Sequence, residues 1–210
     1  MGGQACVFYG AAEFSRVTDL AILADAQNLV RLRRALVDLQ AKPIEVPSCQ
    51  LQFLRRGHAV HFRCQHPEAP RMRIDVMSKM RGVDAFSLLW KRRTTIALPD
   101  GTRCDLMSLP DLVQAKKTQR DKDWPMIRRL IEANYFENYK KPNKSQLEFW
   151  LCEMRTPQLL IEVAKNYPAA CKRAVVRRPI LEFAMNGSAK ELQRYWSPLR
   201  KELEKLRHAR

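Results

Sequence analysis

Met1–Ile22 reads MGGQACVFYGAAEFSRVTDLAI, and its meaning is fixed together with a second stretch, Arg71–Val76, RMRIDV. The first opens on a Gly-Gly turn, continues through a short apolar segment expected to be a helix, and ends in the alternating run Val17-Thr18-Asp19-Leu20-Ala21-Ile22. On a strand, residues i and i+2 share a face. Val17, Asp19 and Ala21 therefore point one way, and Thr18, Leu20 and Ile22 the other. The second stretch has the same two-sided character, with Arg71, Arg73 and Asp75 on one face and Met72, Ile74 and Val76 on the other. Two strands that each carry a carboxylate on a polar face can hold a divalent cation between them, and their apolar faces would pack on helices.

Working outward, Asp25 is placed to cap a helix whose apolar positions Leu29, Leu32, Leu36 and Leu39 recur at helical spacing. Pro43 and Pro47 bracket a short extended piece, Ile44-Glu45-Val46. Gln50 to Arg56 fits either a helix or a strand, whereas His58 to Gln65 alternates as a strand. Ala85 to Lys91 reads as a helical turn. Thr94–Leu98 and Thr102–Leu106, joined through Pro99-Asp100-Gly101, read as a hairpin. Ser108 with Asp111 is a capping box that opens a helix to about Thr118. Asp121 is expected to cap the next helix, whose buried side is Trp124, Ile127, Leu130, Ile131 and Tyr135. The polar segment around Lys140-Lys141-Pro142 marks a boundary near 138. Beyond it the chain is helical, with a capping box at Ser145 and Glu148, starts at Pro157, Pro168 and Pro179, a stop at Gly187 and a last start at Ser188.

The order of these parts resembles the nucleotidyltransferase superfamily related to DNA polymerase beta, and within it the bacterial toxin-like branch often encoded with an antitoxin. The resemblance rests on Met1-Gly2-Gly3, Val17-Thr18-Asp19 and Asp75. It also rests on Ser108-Leu109-Pro110-Asp111-Leu112 with Lys116-Lys117, and on Arg120-Asp121-Lys122-Asp123. It covers roughly residues 1–135. It implies an α/β (α+β) fold, a nucleotidyltransferase-like mixed sheet with flanking helices over 1–138, followed by a basic helical C-terminal domain over 139–210. By resemblance, Gly2 and Gly3 cradle a triphosphate with Arg16, Lys116, Arg120 and Lys122. Asp19 and Asp75 bind Mg²⁺ as the catalytic acids, Asp75 also helping to activate the attacking hydroxyl. The reaction implied is Mg²⁺-dependent transfer of NMP from NTP to an RNA, such as a tRNA, or to a protein.

Two departures stand out. Val17 occupies the first acid of the Asp-x-Asp pair, and a valine donates no lone pair, so transfer is expected to be impaired. The family also carries a helix and a strand ahead of the glycine turn; either the start is truncated or the core lacks that edge element. A non-catalytic RNA- or antitoxin-binding module of the same fold is the alternative, and a basic interaction protein without a nucleotide site is a third.

Composition bears on partners. The 210 residues carry 38 Lys+Arg against 22 Asp+Glu, a formal charge of +16. That balance points to a polyanion, most simply RNA, with the paired cations Lys172-Arg173 and Arg177-Arg178 the candidates for phosphate contacts. The tail aromatics Trp150, Tyr167, Tyr195 and Trp196 are weighed as stacking groups against the more ordinary role of helical core. Six cysteines are scattered without a CxxC pair, and no signal peptide opens the chain, the pattern expected of reduced thiols in a cytoplasmic protein. No apolar run approaches the roughly 18 residues that span a bilayer. His58, His61, Cys64 and His66 do not gather on one strand face, so zinc is not expected.

Overall fold

The computed structural model describes residues 1–80, 82–117 and 123–195. The chain divides into two compact units, Met1–Lys117 and Thr118–Arg210. In the first unit, α1 (Gly2–Phe8) leads into β1 (Val17–Ala21), followed by α2 (Ala26–Asp38), β2 (Lys42–Pro43), α3 (Leu51–Arg56), β3 (Val60–Arg63) and β4 (Arg73–Met77). The four strands form one mixed sheet in the order β1-β4-β3-β2, with β1 and β4 parallel and the other pairs antiparallel.

One face of this sheet is apolar, and it builds the core. Val60, Phe62, Ile74 and Val76 pack with Leu29, Leu32 and Leu36 of α2 and Leu54 of α3. The helix α2 forms as its sequence dictates. Asp25 sits in extended backbone and its carboxylate accepts from the Asn28 N–H at 2.7 Å, satisfying one of the donors a helix start leaves open. The leucine stripe then turns inward. Gln50–Arg56 resolves as the helix α3, because Leu54 is wholly buried in the same core.

A separate hairpin, β5 (Thr94–Ala97) and β6 (Arg103–Leu106), follows α4 (Phe86–Arg92) and precedes α5 (Leu109–Ala115). The Tyr9 hydroxyl ties α1 to this part: it lies 2.9 Å from both the Met107 carbonyl, to which it donates, and the Thr94 hydroxyl. Ser108 caps α5, its Oγ facing the Asp111 N–H at 3.4 Å and the Asp111 carboxylate at 2.6 Å.

The second unit is helical: α6 (Asp123–Asn138), α7 (Lys144–Glu153), α8 (Pro157–Asn166), α9 (Pro168–Val175), α10 (Leu181–Met185), then helical residues 189–195. The sequence boundary near 138 groups α6 with the first part, but α6 falls in the second unit. Its inner stripe, Ile127, Leu130, Ile131 and Tyr135, meets α7: Tyr135 packs edge-on against Trp150 at 5.1 Å, and the Trp150 indole N–H donates to Asn134 at 2.9 Å. Trp150 is therefore core, fully enclosed. α7 begins earlier than Ser145: Asn143 and Gln146 form the reciprocal capping box instead. Asn143 precedes the helix with extended backbone, and Gln146 stands three residues on, the geometry the motif requires. The expected cap at Asp121 lies outside the described residues. No helix among the described residues is long and apolar enough to cross a membrane.

Candidate functional site

The second face of the four-stranded sheet is polar, and the register sets its chemistry. Asp19 of β1 lies opposite Asp75 of β4, and Asp75 lies opposite His61 of β3. Partners in register on neighbouring strands present the same face, so Asp19, Asp75 and His61 form one row across the sheet. The adjacent row is Val17, Arg73, Arg63 and Lys42. The two acids read from the sequence are thus brought to neighbouring positions, although 56 residues separate them in the chain.

Asp19 is held by the start of α1. Its Oδ2 accepts from the Gly3 N–H at 3.2 Å, and its backbone carbonyl accepts from the Met1 ammonium at 2.8 Å. Gly2 is demanded by this approach, and Gly3 packs against Ser15. Gly2 has φ +71°, and a Cβ there would fall 1.8 Å from Asp19 Oδ2; a Cβ on Gly3 would fall 2.2 Å from Ser15 Oγ. Burial lowers the affinity of the Met1 amine for its proton; the Asp19 charge opposes this, and Lys116, the C-cap of α5, reinforces it. Gly2 and Gly3 stand against Asp19 and Ser15, while Lys116 acts on the Met1 amine through its charge. Arg16 is exposed, its guanidinium 5.9 Å from the centre of the Phe14 ring. Arg120 and Lys122 lie outside the described residues.

Asp75 is placed differently. Its Oδ1 accepts from Arg73 Nε at 2.7 Å and lies 2.8 Å from His61 Nδ1. Arg73 also reaches Glu45, Nη1 to Oε1 at 3.1 Å, and its Nη2 is 3.1 Å from His61 Nδ1. His61 Nε2 is 3.8 Å from Glu45 Oε2. The Asp75 side chain keeps only 14% of its surface exposed. The hydrogen bond from Arg73 to Asp75, assisted by the charges of Asp75 and Glu45, holds the guanidinium proton more tightly than usual despite some burial. Arg71, which strict alternation placed beside Arg73, has φ +60° and precedes the strand, so it does not share the face.

Among the described residues no group of three or more His, Cys, Asp and Glu side chains is arranged to hold a metal ion. Val17 contributes no oxygen, and Oδ1 of Asp75 is engaged by Arg73 and His61. Sequence reasoning missed His61 as a partner of Asp75 and Glu45 as a partner of Arg73. The signal for His61 was present, since it alternates with the buried Val60 and Phe62; Glu45 lies beyond β2 and carried none.

In the second unit, Lys172, Arg173 and Arg177 are exposed. Arg178 is not free in the same sense. Its guanidinium donates to the Leu151 carbonyl at 2.6 Å and the Met154 carbonyl at 2.7 Å, closing the end of α7. Burial, with the like charge of Arg155 added, draws it down to about 10. Arg155 lies 4.5 Å over the Trp124 ring.

Comparison of the chain with family models, with curated proteins and with solved structures returns no match.

Proposed function

We propose that the first unit is a nucleotidyltransferase-like module that takes an NTP beside Gly2 and Gly3 and whose Mg²⁺-dependent transfer of NMP to an RNA or protein acceptor is impaired. One observation carries this reading: Asp19 and Asp75 stand opposite each other in register, on one face, with the glycine pair packed against Asp19. A triphosphate is suited by backbone N–H groups and cations held close together; the Gly3 N–H, now given to Asp19, would exchange partners on binding, and Lys116 acts on the adjacent Met1 amine. The impairment follows from Val17 and from the engagement of Asp75. The exposed cations of α9 and the net charge of +16 favour RNA over a protein acceptor.

The test is transfer of label from each NTP to RNA by the natural chain and by Val17→Asp. Restoring the acid places a carboxylate opposite Arg73, offers that guanidinium a partner besides Asp75 and Glu45 and loosens its hold on Asp75. Transfer should rise by about 10²-fold or more, the scale on which single electrostatic groups act in catalysis. Equal, background-level transfer by both chains overturns the impaired-enzyme reading.

The second reading, a binding module for RNA or an antitoxin without catalysis, is favoured by one observation, the Arg73–Asp75–His61 contact. It predicts that the natural chain binds RNA with a steep salt dependence and that Val17→Asp gains no transfer.

A further inference from the structure

We propose that the outward face of α6 and the turn into α7 form a stacking platform for the unpaired bases of single-stranded RNA. The helix buries Ile127, Leu130, Ile131 and Tyr135 along one side. Phe136 and Tyr139 lie off that side and keep 60% and 42% of their surface exposed. With 3.6 residues per turn, positions 129, 136, 139 and 140 fall within about 100° of one another around the helix. Arg129 and Lys140 therefore flank the Phe136 ring on one face, about 10 Å before it and about 6 Å after it along the axis. Lys141 and Lys144 follow in the turn and at the first position of α7, and all four cations are exposed. Among the described residues none of the four is held in an ion pair.

The rings are fixed from beneath. Tyr135 meets Phe136 edge-on at 5.5 Å and Tyr139 at 5.7 Å, and is itself seated against Trp150 at 5.1 Å. One buried ring thus ties two exposed rings to the core. The acids nearby do not cancel the charge. Glu132, one turn before Phe136, is turned to the Thr156 hydroxyl and to Arg128; Glu137 and Glu148 are exposed, two acids against four cations. Exposed aromatic faces interleaved with cations are the chemistry that binds unpaired bases and their phosphates together, and it tolerates any base because each has a π-face. A duplex keeps its bases stacked inside and offers such rings nothing. An acidic peptide would satisfy the cations and leave the rings without a planar partner.

The inference rests on the RNA partner of the reading above, but on neither its nucleotide site nor transfer. The full chain is titrated into labelled oligo(U), into an RNA duplex of equal length and into heparin, a polyanion without bases, with binding followed by fluorescence anisotropy. The natural chain should prefer oligo(U) to the duplex. Phe136→Ala should weaken oligo(U) binding by about fivefold or more, the scale of one lost stack, and leave heparin binding within about twofold; Phe136→Trp should retain the affinity. Lys140, Lys141 and Lys144 replaced together by glutamine should lower the magnitude of the slope of log K for oligo(U) against log salt by about two. Unchanged oligo(U) affinity in Phe136→Ala and in Tyr139→Ala overturns the proposal, and so does an equal loss for oligo(U) and heparin. The strand-over-duplex preference is read in the natural chain, so its absence overturns the proposal even if a variant fails to fold. Polyglutamate competing as well as oligo(U) assigns the face to an acidic protein and overturns it too. No binding of any RNA by the natural chain removes the RNA partner altogether, whereas intact RNA binding that is indifferent to Phe136 removes this platform alone.

Discussion

The close approach of α1 to β1 makes a quantitative claim about Gly2. Gly2→Ala introduces a Cβ at φ +71°, 1.8 Å from Asp19 Oδ2, 2.3 Å from its Cγ and 2.6 Å from its Cβ. Rotation of the carboxylate relieves only the first of these, so Asp19 must move as a whole. Two costs follow. A side chain in the left-handed region costs roughly 1–2 kcal/mol. Displacing Asp19 sacrifices its hydrogen bond from the Gly3 N–H, a charge-assisted contact of about 1.5–3 kcal/mol. Together Gly2→Ala should destabilise the first unit by about 2.5–5 kcal/mol, a large share of the roughly 5–15 kcal/mol that keeps a protein folded. Gly101→Ala is the control, with φ +83° and nothing within 4 Å of its added Cβ; backbone strain alone gives about 1–2 kcal/mol. Gly3→Ala meets only the Ser15 hydroxyl closely, at 2.2 Å, with the Ser15 Cβ at 3.0 Å. It costs about 0.5–1.5 kcal/mol for the displaced hydrogen bond to Val17, offset by the better helix propensity of alanine, up to about 1 kcal/mol. Urea unfolding followed by circular dichroism reads the series, with unchanged slopes as the condition for comparing midpoints. If Gly2→Ala costs no more than Gly101→Ala, the glycine pair is not packed on Asp19 and the candidate site loses its N-terminal wall.

Two further outcomes are expected. Arg178→Met should destabilise the helical unit by about 2–4 kcal/mol, because two carbonyls at the end of α7 lose charge-assisted donors; a melting curve unchanged within error would show that the guanidinium does not close that helix. Replacing Lys172 and Arg173 together with glutamine should leave stability within about 0.5 kcal/mol, as both are exposed. The same change should lower the magnitude of the slope of log K for RNA against log salt by about one to two, and an unaltered slope would remove α9 from the RNA contact.

Much of the first unit was legible wherever burial follows sequence period. The leucines of α2 fall on one side because the sheet behind them is apolar, and Val60, Phe62, Ile74 and Val76 alternate because only one face of that sheet is packed by apolar side chains. That Asp19 and Asp75 each lie on a polar strand face was also legible, since alternation fixes the sides; their register comes from the parallel pairing of β1 with β4. Three things were not. Arg71 carries a positive φ that no pattern announces, so a strand read from 71 begins at 73. The allegiance of α6 is decided by Trp150 reaching Asn134, a contact between residues 16 apart whose pairing hydropathy does not specify. The cluster around Asp75 mixes near and distant residues: Arg73 is two positions away on the same face, His61 comes from the neighbouring strand, and Glu45, which meets Arg73 and His61, arrives from beyond a two-residue strand.

The parallel pairing of β1 with β4 also governs the order of assembly. Parallel neighbours cannot be joined by a tight turn, and everything from α2 through β3 lies between these two. β3 and β4, close in sequence and antiparallel, can meet early, whereas β1 must wait for a long loop to close. Although β1 precedes β3 and β4 in the chain, it is thus among the last to dock, and with it comes the glycine pair. Lesions in α2 or α3 that slow this closure would leave a collapsed β3–β4 pair with Asp75 already in place and Asp19 still adrift, a folding failure that erases the site before it erases the sheet.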